Sequence, residues 1–351
     1  MGIIVAILVL SFLIFFHELG HFLMARLMGV KVEVFSIGFG KKLICKQYGD
    51  TNYCLSAIPL GGYVQMKGQD DSDPSLKSND PDSYTTKTPL QKILILLGGP
   101  FFNILLAFII YLFVAMTGWR VLAPEVGNVL PNSAAVNVLK KGDLIVKINN
   151  FDIKTWNDIK TAVEKSNPPL HLIIKRDNKL LSKTITPKIM ETKNIFGENI
   201  KRKLIGISPS GKVLIVHYSF IKSFEVAVNE TIEKSKLIFT GFMKMVTGVI
   251  GLNNVSGPVT IVKVTSDATH YGVIAVLLLT ALISVNLGIL NLLPIPALDG
   301  GHIMFNLYEL IMRKEVNEEI MIKLTIGGWI ILGSLMIIGF YNDITRLFGG
   351  H

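Results

Sequence analysis

Four stretches of this chain are almost continuously apolar, at residues 2–28, 93–119, 271–298 and 324–341. Each comes near or beyond the roughly 20 residues that a helix needs to cross a hydrocarbon core. The second and third carry no charged residue at all, and neither does 2–16. The first stretch lacks a basic leader and a small-residue cleavage site, so it is expected to be a retained span rather than a signal peptide. Between the first two stretches, residues 32–40, 52–55 and 63–66 are β-branched or aromatic and broken by glycine, a pattern that predicts short strands. From about 125 to 189 the pattern is that of a soluble protein. It predicts strands at 143–148, 170–175 and 180–185 and an amphipathic helix at 155–166, which Pro168 and Pro169 stop. Over 220–262 apolar positions alternate with Glu225, Glu230, Glu233, Lys234 and Lys236, as in a helix lying along a membrane surface. Residues 237–252 fit a surface helix or an inserted one. They are read as surface-lying, because a fifth crossing would reverse every span after it.

Composition agrees with a membrane protein carrying a water-exposed part. Of 351 residues, 50% are hydrophobic and only 17% charged, and mean hydropathy is +0.49. The net charge of +9 would raise nucleic acid as a partner in a soluble chain. No basic stripe interleaved with aromatics occurs, so the cations are assigned to loops facing anionic lipid and nucleic acid is excluded. Arg26, Lys31, Lys41, Lys42, Lys46, Lys87 and Lys92 bracket the loop between spans one and two, and Arg313, Lys314 and Lys323 that between spans three and four. By the positive-inside rule both loops are cytosolic, so both termini and the region 120–270 lie outside. Cys45 and Cys54 then sit in a reducing compartment and are expected as free thiols, and a disulfide joining them would argue for the opposite orientation.

Residues His17-Glu18-Leu19-Gly20-His21 spell H-E-x-x-H inside the first apolar stretch. Residues four apart share a helix face, so the two imidazoles can meet one Zn²⁺, while Glu18 can take a proton from water that the metal polarises. Charged and polar groups at this depth are costly unless they pair, line water or bind metal. A catalytic zinc usually has three protein ligands. With no cysteine cluster, the remaining candidate is Asp299, which follows the broken run Asn291-Leu-Leu-Pro294-Ile-Pro296-Ala-Leu298. Pro294 and Pro296 either end a helix at the interface ahead of a solvated turn, or mark a water-accessible break. Depth favours the second reading. His17 lies about 21 Å along its helix from Ile3 at about 1.5 Å per residue, so it sits toward the cytosolic side. Asp299 ends a span of the same direction. Gly98-Gly99-Pro100 and Asn103 open the second span and are read as packing beside the zinc helix, not as direct chemistry.

The paired signatures at 15–22 and 291–301 resemble those of the site-2 protease family, the M50-type intramembrane zinc metalloproteases, and most closely its bacterial regulator-of-sigma-E branch. The resemblance covers nearly the whole chain. It implies His17, His21 and Asp299 as zinc ligands, Glu18 as the base, Asn291 as a contact to substrate main chain, and Gly38, Phe39 and Gly40 in a membrane-associated β-hairpin loop. From the residues alone, an ordinary surface hairpin fits those glycines equally well. Lys140 to Asn150 resembles the G-D-x-I-x-x-I-N core of PDZ domains, which capture extended peptide tails by strand addition; a plain spacer carries equal weight. Residues 254–258 resemble a further family stretch of unassigned role.

The expected architecture is a polytopic α-helical core of about four transmembrane helices with a β-hairpin loop and an inserted extracytosolic PDZ-like α+β domain. Its divisions are 1–119 (spans one and two, H-E-x-x-H and hairpin), 120–190 (PDZ-like domain), 191–270 (linker and surface helices) and 271–351 (spans three and four). The expected activity is zinc endopeptidase cleavage of transmembrane segments. By resemblance the substrates are anti-sigma-factor-like proteins or signal-peptide remnants in the bacterial cytoplasmic membrane. Two rivals remain, a catalytically silent PDZ scaffold and a metal transporter. The intact Glu18 opposes the first, and the absence of internal repeats the second.

Overall fold

A computed structural model describes residues 2–69 and 78–348. In chain order it contains α1 (Gly2–Leu27), β1 (Val32–Tyr48), β2 (Thr51–Met66), α2 (Pro89–Thr117), β3 (Trp119–Leu122), β4 (Val126–Val129), β5 (Leu144–Ile148) and β6 (Phe151–Asp152). These are followed by α3 (Trp156–Lys165), β7 (Leu170–Arg176), β8 (Lys179–Ile185), β9 (Lys188–Lys193), β10 (Asn199–Leu204), β11 (Ile207–Pro209) and β12 (Val213–Val216). The chain closes with α4 (Phe220–Val246), α5 (Pro258–His270), α6 (Val273–Asn291), α7 (Asp299–Met312) and α8 (Glu318–Phe348). Two compact units divide it, residues 2–114 with 223–348, and 115–222.

Among the described residues, the first unit holds four helices long and apolar enough to cross a membrane, α1, α2, α6 and α8. They coincide with the four apolar stretches of the sequence, and α4 is not among them. The third expected span, 271–298, is shorter as a helix than as an apolar run. Helix α6 stops at Asn291, and residues 292–298 turn through local bonds such as Ile295 N–H to Leu293 O before α7 begins. The physical reason is Pro294 and Pro296, which have no N–H to give to a continuing helix.

Strands β1 and β2 form more than a simple hairpin. Ile37 pairs with both Gly62 and Leu55, and Phe35 with both Val64 and Tyr53, while Cys45 pairs with Cys54. Each strand is therefore folded back on itself, giving four segments in the order 62–66, 32–37, 51–55, 42–48. The bend in β1 falls at Gly38 and Gly40, with φ of 91° and 82°, where a side chain would strain the backbone. Between them Phe39 stacks on Tyr63 at 6.3 Å between ring centres.

The expectation of two free thiols is corrected: Cys45 and Cys54 are joined as a disulfide, and no described cysteine is free. The pairing register is the physical reason. It sets the two residues directly opposite on adjacent segments, with Cα atoms 4.2 Å apart.

In the second unit, strands β6, β5, β7 and β8 form one antiparallel sheet in that order. Helix α3 is opened by a capping box between Thr155 and Asp158. Ile145, Ile148, Ile159, Leu170, Leu172 and Ile174 make its core, the β5–α3–β7 arrangement that a PDZ-like reading anticipates. The boundary expected at residue 190 falls short. Strand β11 returns to pair with β4 and β12 with β3, so the unit continues to Lys222. These late strands span only Ile207–Pro209 and Val213–Val216, too brief for an apolar alternation to register in the sequence. The G-D signature has a clear local role. Asp143 is fully buried and accepts two bonds from Arg176, at 2.6 and 2.7 Å, and one from the Lys140 N–H.

Residues 254–258, left without a role by the sequence, dock onto α8. Asp343 accepts from the N–H groups of Gly257 and Thr260 at 3.0 and 2.9 Å, capping the start of α5 from another helix. The Asn342 amide donates to the carbonyls of Leu252 and Val255. Helix α5 in turn packs on α1, α6 and α8.

Candidate metal and catalytic site

Helix α1 carries His17 and His21 one turn apart, both more than nine-tenths buried. They face α2, and glycines set how close the helices come. A Cβ on Gly20 would lie 2.2 Å from the Gly98 carbonyl oxygen, and one on Gly98 would lie 2.5 Å from the Gly20 oxygen. A Cβ on Gly99 would lie 2.4 Å from His21 Nε2. No residue other than glycine fits at these places without displacing a backbone or a ring, so the Gly-Gly pair is what allows α2 to lie flat against the histidines.

Asp299 arrives from the far end of the chain as the first residue of α7. The broken segment before it folds tightly because Gly300 and Gly301 meet the carbonyls of Leu293 and Ile295, each at 2.3 Å from where a Cβ would stand. A carboxylate in the first turn of a helix also sits in the favourable field of that helix's N-terminus.

The structure brings these three side chains together. His17 Nε2 lies 3.1 Å from His21 Nε2, His17 Nε2 lies 3.3 Å from Asp299 Oδ2, and His21 Nε2 lies 3.5 Å from Asp299 Oδ1. Among the described residues this is the single cluster of three groups able to hold a metal ion. A tetrahedral ion with bonds of about 2.0–2.1 Å sets its ligand atoms roughly 3.3 Å apart, so the spacing fits zinc. A second observation agrees. Asp299 Oδ2 is sealed from solvent and has no hydrogen-bond donor of proper geometry, although unpaired buried polar atoms are rare in native structures. Two imidazole nitrogens and an unsatisfied carboxylate oxygen form a donor set suited to a divalent cation.

Glu18 stands between the histidines in sequence and is half-buried. A Cβ on Gly62 would lie 3.4 Å from Glu18 Cγ, so β2 passes directly over the acid. Asn291, at the end of α6, brings its Nδ2 to 3.3 Å from His17 Nε2. The sequence therefore led to five residues that the fold gathers, His17, Glu18, His21, Asn291 and Asp299. Gly38, Phe39 and Gly40 form the bend beside Ile37, and Gly62 of the segment paired with it lies against Glu18.

Sequence reasoning missed the support that α2 gives. His21 Nδ1 lies 3.0 Å from the Ile95 carbonyl oxygen, and His17 Nδ1 lies 3.0 Å from the Asn103 amide. Ile95, Gly99 and Asn103 recur every fourth residue, which puts them on one face of α2. That spacing was visible as a Gly-Gly-Pro run ending in asparagine. Nothing in it said which face met the histidines.

The sequence matches peptidase family M50 over residues 5–334. It is 48% identical to a Campylobacter jejuni protein named "Putative zinc metalloprotease", across 98% of this chain and 93% of that one. Proteins of the same description from Helicobacter pylori and Clostridium acetobutylicum are 42% and 37% identical. Each alignment covers 98% of this chain, with 99% and 97% of theirs.

Proposed function

The chain belongs to peptidase family M50, membrane-embedded zinc metalloproteases of the site-2 type, and on that premise we propose that it hydrolyses a peptide bond within or beside the transmembrane helix of another membrane protein. The observation that carries the reading is the convergence of His17 Nε2, His21 Nε2 and the Asp299 carboxylate, with Glu18 one residue along, inside helices apolar enough to cross a membrane.

His17, His21 and Asp299 would hold the zinc, which when bound supplies Lewis-acid polarisation of a water and of a carbonyl oxygen. Glu18 removes the proton of the attacking water and passes it to the departing amine. The Asn291 amide, beside the same imidazole, is placed to donate to a substrate carbonyl. A helical substrate hides its amides in internal bonds, so it must be drawn out into an extended form before attack. Among the described residues the 62–66 segment pairs on one side only, with 32–37, and its other side, next to Glu18, offers backbone groups for that purpose.

Resemblance supports anti-sigma-factor-like proteins or signal-peptide remnants as substrates, trimmed beforehand by another protease, with the PDZ-like unit engaging their peptide tails. The Lys and Arg distribution supports a bacterial cytoplasmic membrane location with the sheet and the zinc site toward the cytosol, whereas the Cys45–Cys54 disulfide argues for the opposite orientation. Purified protein with a transmembrane model substrate and metal analysis tests the activity. Unchanged cleavage in Glu18→Gln refutes the base, and zinc retained in Asp299→Ala refutes the third ligand. Thiol labelling in intact cells tests the orientation. Reactive Cys45 and Cys54 on the cytosolic side support it, whereas a disulfide that persists in cells puts the sheet outside.

A further inference from the structure

Both zinc-site histidines turn their Nε2 atoms toward Asp299 and their Nδ1 atoms toward α2. A neutral imidazole has one proton, and an Nε2 that is to bind a cation must leave that proton on Nδ1. For His21 the arrangement enforces this. Its Nδ1 faces the Ile95 carbonyl oxygen at 3.0 Å, and a carbonyl can only accept, so the ring donates from Nδ1 and its Nε2 lone pair is free.

His17 meets a side chain instead. The Asn103 amide is wholly closed from solvent, its Nδ2 lies 3.0 Å from His17 Nδ1, and its Oδ1 has no hydrogen-bond partner. With nitrogen toward the ring, Asn103 would donate to Nδ1 and drive the imidazole proton onto Nε2, into the ion's place. A half-turn of the carboxamide exchanges two termini of equal size and shape. It puts Oδ1 against Nδ1–H and gives the orphaned oxygen the donor it lacks. Both histidines then share one tautomer.

We propose that Asn103 is a positioning residue for zinc, accepting the Nδ1–H of His17 through its amide oxygen and so holding the ring with Nε2 bare toward His21 and Asp299. The inference rests on His17 being a metal ligand. Asn103 is itself fixed by its neighbours, since its backbone oxygen accepts from Ser284 Oγ of α6 at 2.7 Å. The helix that ends at Asn291 is thereby tied to the acceptor behind His17. Such outer partners commonly change metal affinity by about 10- to 100-fold when removed.

The test is zinc affinity of the full-length protein in detergent, measured by competition with a chromogenic chelator, on wild type, Asn103→Asp and Asn103→Leu, together with ¹⁵N imidazole shifts of the metal-free protein. A carboxylate accepts and cannot donate, so Asn103→Asp is expected to bind zinc as tightly as wild type or more so. Asn103→Leu keeps the volume but not the acceptor, and a loss of about 10- to 100-fold is expected, with one imidazole resonance leaving the Nδ1-protonated position. Weak zinc binding in Asn103→Asp, or wild-type affinity in Asn103→Leu, overturns the proposal and returns Asn103 to helix packing. Should the leucine variant not accumulate, Asn103→Ala replaces it and is read the same way. Failure of wild type to bind one zinc, or unchanged binding in His17→Ala, would instead overturn the reading on which the proposal rests.

Discussion

Asp143 and Asp299 are both closed or nearly closed to water, yet their surroundings differ in kind. Asp143, in the second unit, has both oxygens answered, by the two arms of Arg176 and by a backbone N–H. Asp299, in the membrane unit, faces two imidazole nitrogens, and one of its oxygens has no donor. Burial of a carboxylate is tolerated where a fixed cation or donor set accompanies it. The first site carries its cation on the chain, whereas the second is complete only with a cation from outside. The same residue type therefore holds a fold together in one place and makes a binding site in the other.

The contrast can be broken most severely at the metal end. Asp299→Ala and His21→Ala should each abolish both zinc retention and cleavage while the second unit keeps its melting behaviour, measurable by metal analysis and calorimetry on the same samples. Next comes Glu18→Gln, which removes the base but no ligand. Cleavage should fall by about 10²- to 10⁴-fold, the usual worth of a general base, with zinc content unchanged. Gly99→Ala should weaken zinc by about 10-fold or more, on the scale of lost support behind a ligand, because its new methyl group would meet His21 Nε2. A wild-type affinity there would show that α2 does not set the rings.

At the other end, Arg176→Leu leaves the Asp143 charge without its partner and should cost the second unit about 3 kcal/mol, with no effect on zinc. The smallest effect sharpens the comparison through pH. Burial pushes the Asp143 carboxyl up, but the Arg176 guanidinium and the Lys140 N–H outweigh it and hold it below the ordinary carboxylate range. A group lowered on folding contributes stability that is fully present above its unfolded value of about 3.9 and is lost as pH falls through the folded one. Acid titration of the unit's melting temperature should therefore fall away below about pH 4 in wild type, and less steeply in Arg176→Leu.

What the sequence disclosed follows the range of the physics involved. Spans and the H-E-x-x-H face are local patterns of period and polarity, so α1, α2, α6 and α8 were legible, as was the capped helix α3. Asp299 was legible because a lone acid after two prolines in an apolar run has few other uses. The four-segment sheet, the Cys45–Cys54 pairing and the return of β11 and β12 were not. Each depends on register between segments that no short-range pattern encodes. Asn103 was seen but read as packing, since which face of α2 meets the histidines is decided by glycines on both helices and not by the asparagine itself.

The three proposed zinc donors lie far apart along the polypeptide, and this governs when they can meet during synthesis. His17, His21, Ile95, Gly99 and Asn103 all precede residue 104, whereas Asp299 is added 196 residues after Asn103. At about 5–20 residues per second, a ribosome needs roughly 10–40 s to cover that gap. Throughout that interval the nascent chain displays a two-histidine half-site with its base and backing helix already made. Under the proposed ligand set, the site lacks its carboxylate until the carboxyl-terminal part of the chain has been made.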